Sequence, residues 1–181
     1  METCPHLESE RLLLRPFDLA DAPAVRELAR ERDVASTTLL VPHPYEDGMA
    51  EQWISTHQQR FELGELACFA IVLKQEQALI GAIDLVIKAE HKRAELGYWI
   101  GKPYWAQGYC TEAARLVVRY GFEDLGLNRI AAHHMSRNPA SGRVLEKIGM
   151  QHEGRLKQYV HKWDVFEDVE CCSILRRDFQ R

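Results

Sequence analysis

The sequence predicts an α+β fold, a single domain over residues 1–181 with a mixed, mostly antiparallel central sheet of about six or seven strands and helices on both faces. Three observations carry this expectation. Between Asp18 and Leu63 apolar residues recur at helical spacing; from Ala67 to Ile100 the pattern switches to strand-like runs separated by short polar turns; and from Glu95 to Leu125 a strand, a tight loop and a helix follow one another. The rest of the chain is arranged around that last unit.

Taken in order, Glu8 to Phe17 reads as a first strand, stopped by Pro16. Asp18 is a candidate N-cap, with Asp21 supplying an acid in the first turn, and Leu19, Ala22, Val25, Leu28 and Ala29 make Asp18 to about Glu31 an amphipathic helix. Val41-Pro-His-Pro-Tyr45 is a loop, because two prolines remove donors and bias the residues before them away from helix. Asp47 to Leu63 reads as one helix, ended by Gly64. Ala67 to Lys74 and Ala78 to Lys88 form a hairpin, and Ala94 to Ile100 adds a third strand. A helix from about Gly108 to Leu125 carries a core stripe of Ala114, Val117, Val118, Gly121, Phe122 and Leu125. Asn128 to Ser136 is a strand, Asn138 to Ile148 a helix stopped by Gly149, and His152 to His161 with Val165 to Leu175 close the sheet.

Composition narrows the class. With 181 residues the chain can bury one substantial core. A net charge of −4 argues against general nucleic-acid binding and leaves room for a cationic partner. Five cysteines, two of them adjacent, make no secreted disulfide framework; no signal peptide is evident, and no apolar run approaches the roughly 20 residues that span a membrane. A reducing cytoplasm is the expected location, with no membrane partner, as a monomer or homodimer.

The central stretch, Ile100 to Ala114, reads IGKPYWAQGYCTEAA. Gly108 lets a ligand approach the backbone closely, and the small residues Cys110, Thr111 and Ala113 leave the first-turn N–H groups uncovered. Those donors and the helix dipole make an anion site suited to pyrophosphate. An ordinary strand-to-helix corner at Gly108 fits the spacing equally well.

The segment YWAQGYCTEA, followed by Asn138-Pro-Ala-Ser141-Gly-Arg-Val-Leu-Glu-Lys-Ile-Gly149-Met, resembles the two acyl-CoA-binding motifs of the GNAT superfamily of N-acetyltransferases. It is most similar to the branch that acetylates the N-termini of ribosomal proteins, the RimJ/RimL type, and the likeness runs from about Glu8 to Phe179. The resemblance implies acetyl-CoA as co-substrate, pyrophosphate against the backbone of Gln107, Gly108, Tyr109, Cys110 and Thr111, and a pantetheine arm along Tyr98, Trp99 and Ile100; no metal is expected. A free N–H near Tyr98 or Ile100 would then face the thioester oxygen.

Transfer of an acetyl group to an amine needs a polarised carbonyl, a neutral amine and a proton for the departing thiolate. Asn138 is either a hydrogen-bond partner of pantetheine or the N-cap of a helix with proline at its first position. Many GNAT enzymes place a tyrosine acid seven residues beyond this asparagine; here that position is Leu145. Ser141 matches the serine of the branch's Asn-x-x-Ser motif and is the nominated hydroxyl near the sulfur, against a solvated first-turn serine. Glu95, expected on a buried strand, is the nominated base, against a salt bridge to Arg93 or to a basic residue of another strand. Tyr98 and Trp99 alternate across the strand, one in the core and the other toward an acceptor cleft. Trp105 reads as packing. Cys110 reads as a small filler and not a covalent acetyl carrier, which predicts direct transfer. His133 and His134 point to opposite faces and have no further ligands at reachable spacing.

Three functions compete on these residues. The first is acetylation of a protein N-terminus, most of all a ribosomal protein's; the second is acetylation of a small amine such as a polyamine, amino acid derivative or antibiotic; the third is a non-catalytic CoA-binding module, for which Leu145 is the best argument. The loops Val41 to Asp47 and Tyr159 to Asp168 are expected to shape the acceptor pocket.

Overall fold

A computed structural model describes residues 4–179. Its centre is an eight-stranded sheet in the order β1-β2-β3-β4-β5-β6-β8-β7, formed by β1 (Leu7–Glu8), β2 (Leu12–Arg15), β3 (Leu66–Leu73), β4 (Ala78–Lys88), β5 (Arg93–Ile100), β6 (Arg129–Met135), β7 (Gln151–Lys162) and β8 (Val165–Leu175). The helices are α1 (Ala22–Ala29), α2 (Arg32–Thr37), α3 (Met49–Ser55), α4 (His57–Glu62), α5 (Tyr109–Glu123) and α6 (Pro139–Lys147). Every neighbouring pair of strands is antiparallel except β5 and β6.

The sheet has more strands than the sequence pattern suggests, because the first apolar run folds back on itself. The Ser9 N–H donates to the Leu12 carbonyl at 3.0 Å and the Leu12 N–H donates to Ser9 Oγ at 3.1 Å, so the run becomes the β1–β2 hairpin. Both expected N-terminal helices also divide. Asp18 and Asp21 form a capping box over a short 3₁₀ turn, Leu19–Asp21, and α1 starts only at Ala22, ahead of Pro23. Thr56 separates α3 from α4 within the expected single helix. Helix α2, in the polar stretch before the double-proline loop, has no counterpart in the sequence expectation.

Alternation along the strands sends side chains to two differently covered faces. Leu12, Leu14, Phe69, Ile71, Ile83, Leu85 and Leu96 pack against Ala113, Ala114, Val117, Val118 and Phe122 of α5 and Leu145 of α6 in the main core. The predicted α5 stripe is buried there apart from Leu125, which packs against the core from its margin. On the opposite face Ala22, Val25, Ala50 and Ile54 of α1 and α3 make a smaller cluster with Phe17, Tyr45, Trp53, Leu79 and Trp99.

Candidate active site

The strands β5 and β6 pair in parallel only over Arg93–Glu95 and Arg129–Ala131. Beyond that point β5 continues along β4 as far as Ile100, and β6 continues along β8 as far as Met135. The two facing edges are therefore unpaired, and a gap opens between them in the middle of the sheet. Hydrogen bonding in an antiparallel ladder alternates. The Gly101 N–H donates to the Ile80 carbonyl at 2.8 Å, so Gly97 and Trp99 share their backbone groups with β4 while Tyr98 and Ile100 turn theirs toward the gap. The Ile100 carbonyl is claimed by the indole N–H of Trp105 at 2.6 Å. Trp105 thus closes the far end of the strand, and the N–H groups of Tyr98 and Ile100 remain aimed into the gap.

At the same end of the gap the chain enters α5 through a tight loop. Ala106 and Gly108 both take left-handed backbone angles, φ 60° and 82°, and Gly108 caps α5 with no side-chain hydrogen bond. The N–H groups of the first turn have no partner within the helix and no capping side chain in front of them. A cleft of about 520 Å³ lies against them, lined by Gly108 and Thr111 together with the cations Arg11, Arg115 and Lys147 and the carboxylates Glu10 and Glu112. Arg11 lies 4.5 Å over the Tyr109 ring and donates to the Gln107 carbonyl at 3.2 Å and to Glu112 Oε2 at 2.8 Å. Backbone donors, a helix N-terminus and flanking cations together suit a pyrophosphate. Gln107 and Gly108 end the loop, and Tyr109, Cys110 and Thr111 form the first turn of α5.

Tyr98 points to the α5 side of the sheet, and its hydroxyl lies 2.8 Å from Ser141 Oγ and donates to the Ser141 carbonyl at 3.3 Å. Burial holds the Tyr98 phenol well above its ordinary range, so the hydroxyl keeps its proton. Ser141 lies in the first turn of α6, half-buried, so a hydroxyl pair lines the gap. Asn138 caps α6: its Oδ1 accepts from the Ser141 N–H at 3.3 Å and its Nδ2 donates to the Thr37 carbonyl at 3.3 Å. Both ends of the amide are engaged, so of the two roles open to Asn138 the geometry favours the cap over a contact with pantetheine. Leu145 is fully buried in the main core. Burial pushes the Cys110 thiol up to about 12, which leaves it protonated and a poor nucleophile.

Two expectations need correction. Glu95 is not a buried acid: its side chain is 51% exposed, and its Oε1 lies 2.9 Å from His133 Nδ1. That hydrogen bond holds the Glu95 carboxyl below its usual range and raises His133 in turn. The reason is the face on which Glu95 emerges. Odd-numbered residues of β5 point away from α5, and at the start of the strand that face is open to solvent, with Arg93 exposed as well. Trp99, on the same face, packs in the smaller cluster and shares its backbone with β4, so it does not line the pantetheine gap. His134 sits on the opposite face with its Nδ1 2.9 Å from the Met135 carbonyl oxygen. Among the described residues there is no group of three or more His, Cys, Asp or Glu side chains arranged to hold a metal.

The two loops expected to shape an acceptor pocket do meet. Lys162 Nζ donates to the Thr38 carbonyl at 2.7 Å and to that of Val41 at 3.3 Å, and the His43 and Trp163 rings lie 5.8 Å apart. Asp84 lies outside the residues expected at the site. Its signal is a single acid inside the apolar run Ala78 to Ile87, and it sits on β4 directly across from Gly97.

The family model described as an acetyltransferase (GNAT) domain matches residues 11–151. The N-acetyltransferase p20 of Bacillus licheniformis, itself uncharacterized, is 31% identical over 180 residues, covering 99% of each chain. Two solved structures share the fold. The ribosomal-protein-S5-alanine acetyltransferase of Vibrio fischeri superposes with a TM-score of 0.83 at 21% identity over 98% of this chain and 100% of its own. The spermidine N-acetyltransferase of Vibrio cholerae, in complex with CoA and spermine, superposes with a TM-score of 0.81 at 23% identity over 94% and 98%. With the split sheet, the uncapped α5 entry and the family match in hand, this chain belongs to the GNAT family of N-acetyltransferases.

Proposed function

We propose that this enzyme transfers the acetyl group of acetyl-CoA directly to the N-terminal α-amine of a protein, with a ribosomal protein as the favoured acceptor. The observation that carries the reading is the Tyr98–Ser141 hydroxyl pair, 2.8 Å apart beside the β5–β6 gap, with leucine at the position of the usual acid. Pyrophosphate binds at the N-terminus of α5, and the pantetheine arm pairs with the free edge of β5. The N–H of Tyr98 or Ile100 polarises the thioester carbonyl, and the Ser141 hydroxyl gives its proton to the thiolate. The high pKa of Cys110 supports direct transfer over an acetyl-cysteine intermediate.

Such a site suits an amine that is already partly neutral. An α-amine, with a pKa near 7.7 to 8.0, is roughly a tenth to a third neutral near pH 7 to 7.5, whereas a lysine side chain near 10.4 is neutral about once in a thousand. The likeness in fold to the ribosomal-protein-S5-alanine acetyltransferase points the same way. Five unbridged cysteines fit the reducing cytoplasm where such acceptors are made. A polyamine acceptor is the second reading, favoured by the likeness to the spermidine enzyme.

Thiol release from acetyl-CoA should be compared for a peptide with a free N-terminus, the same peptide N-blocked but carrying an internal lysine, and spermidine. The free N-terminus is expected to be fastest. Faster acetylation of the blocked peptide or of spermidine would overturn the acceptor assignment, and no turnover on any of them would favour the CoA-binding module.

A further inference from the structure

We infer that Asp84 is the carboxylate that receives the acceptor's ammonium group and removes its proton. This deepens the proposed amine acetylation and rests on it.

Asp84 lies on β4 in register with Gly97 of β5. A Cβ at Gly97 would sit 3.1 Å from each Asp84 carboxylate oxygen, so the carboxylate leans over the bare backbone of β5. Gly97 comes two residues after Glu95, the last residue of β5 paired with β6. The carboxylate therefore stands at the mouth of the gap on the face away from α5, opposite the side from which the Tyr98–Ser141 pair lines it. On its own face lie Trp99 and the aromatic residues Phe17 and Trp53. A thioester held in the gap would have the hydroxyl pair on one side and Asp84 on the other. An amine on the Asp84 side could then add to one face of the planar thioester carbonyl, while the Ser141 hydroxyl reaches the departing sulfur from the other side.

The carboxylate also lacks a structural partner. No described residue gives it a hydrogen bond or a salt bridge; its surroundings act on it only through burial and through the charges of Arg60 and Glu95. The groups facing it are the Cys68 thiol from β3, its neighbour in the register, Glu95 from β5 and Arg60 from α4. Asp84 is half-buried, and a purely structural acid there would be expected to hold a donor, since a carboxylate drawn out of water without a partner is destabilising. A cation arriving with its own N–H groups relieves that penalty. Burial, partly offset by Arg60 and reinforced by Glu95, raises Asp84 to about 6. A base there can take a proton from an α-ammonium near 8 far more readily than from a lysine ammonium near 10.4.

The protons balance as follows. The ammonium gives one proton to Asp84, and the freed nitrogen lone pair attacks the carbonyl carbon. The C–S bond breaks with its electron pair, and the thiolate takes the Ser141 hydroxyl proton. The second proton leaving the nitrogen and the one held by Asp84 pass to solvent, which returns one proton to Ser141, so one proton is released per turnover.

The test compares wild type with Asp84→Asn, of nearly the same shape but without the charge. Calorimetry should give equal CoA affinity for both, which certifies the fold. With desulfo-CoA bound, affinity for a serine-start peptide and for spermidine should fall at least tenfold in Asp84→Asn. With acetyl-CoA, kcat/KM should fall about a hundredfold to ten-thousandfold, and the acidic limb of the wild-type pH profile, centred near 6, should disappear. Amine affinity and kcat/KM within threefold of wild type, with the limb intact, would overturn the role of Asp84 and leave the acetyltransferase reading standing. A wild type that acetylates no amine would overturn that reading instead; the amine-affinity comparison still decides the fate of Asp84, and no loss of binding on neutralisation defeats it.

Discussion

The two candidate sites on the central sheet are built in different ways. On the α5 side the candidate CoA site is built largely from main chain: the N–H groups after Gly108, the free edge of β5, and one hydroxyl pair at Tyr98 and Ser141. On the other side the candidate acceptor site is built from side chains brought together by strand pairing and loop contacts, among them Asp84 across from Gly97 and the Lys162 bridge to Thr38 and Val41. A backbone site recognises what all substrates of a family share, a pyrophosphate and an amide-bearing arm. A side-chain site is free to diverge, as it must where related folds take a ribosomal protein in one case and spermidine in another.

The sharpest probe of the first side is Ser141. Ser141→Ala removes the hydroxyl proposed to protonate the thiolate but leaves the α5 N-terminus and the β5 edge as they are. Turnover is expected to fall by tenfold to a thousandfold, the range typical of one positioned proton-transfer group, with CoA affinity within a few-fold of wild type. Steady-state kinetics with calorimetry in parallel checks both halves. A fully active Ser141→Ala would assign the thiolate's proton to another donor.

This division also explains what was readable in the chain itself. The placement of Gly108, Thr111 and Ser141 at the starts of two helices was legible because a loop opening a helix needs small residues in a fixed order, and order is what a sequence records. The core stripe of α5 was legible for the same reason, since helical periodicity is local. Glu95 and Asp84 were not. Both are acids on strands, and which of them is buried depends on which stretch of which face the helices cover. Glu95 emerges at an open end of β5 and finds His133 on a strand 38 positions later, while Asp84 lies in the covered middle of β4. The β1–β2 hairpin was missed because Ser9 turns the chain through hydrogen bonds to Leu12 and Glu112, the latter more than a hundred residues away.

Gly108 gives the next largest effect, and the structure specifies its cause. A Cβ added there would meet Arg11 Nη2 at 3.5 Å, an ordinary contact, so crowding is not the issue. The φ of 82° is. A β-branched residue in the left-handed region carries about 1–3 kcal/mol of strain, and relieving that strain would turn the first N–H groups of α5 away from the ligand. Gly108→Val should therefore weaken CoA binding about tenfold to a hundredfold. Gly108→Asn, which tolerates this conformation, should lose far less. Equal affinity of wild type and Gly108→Val in calorimetry would remove the anion site from the α5 N-terminus.

The smallest effect belongs to the Glu95–His133 pair, which on this view joins β5 to β6 just before they part and does not act as a base. Two linked titrations describe its contribution. His133 is raised above its ordinary 6.5, so its share of stability is full below 6.5 and fades as pH rises through the raised value. Glu95 is lowered below its ordinary 4.5, so its share is present above 4.5 and fades as pH falls through the lowered value. The two shares overlap between 4.5 and 6.5. Because the Glu95 side chain is 51% exposed, solvent screens the pair and holds its worth to about 0.5 kcal/mol. Glu95→Gln should then lower Tm by roughly 1–2 °C at pH 5.5 and by nothing measurable at pH 9, where His133 is neutral in both proteins. Thermal unfolding of the two proteins at both pH values reads this directly. An equal shift at both would show that the bond is held by geometry and not by charge, while a hundredfold loss of turnover in Glu95→Gln would return the base to Glu95 and take it from Asp84.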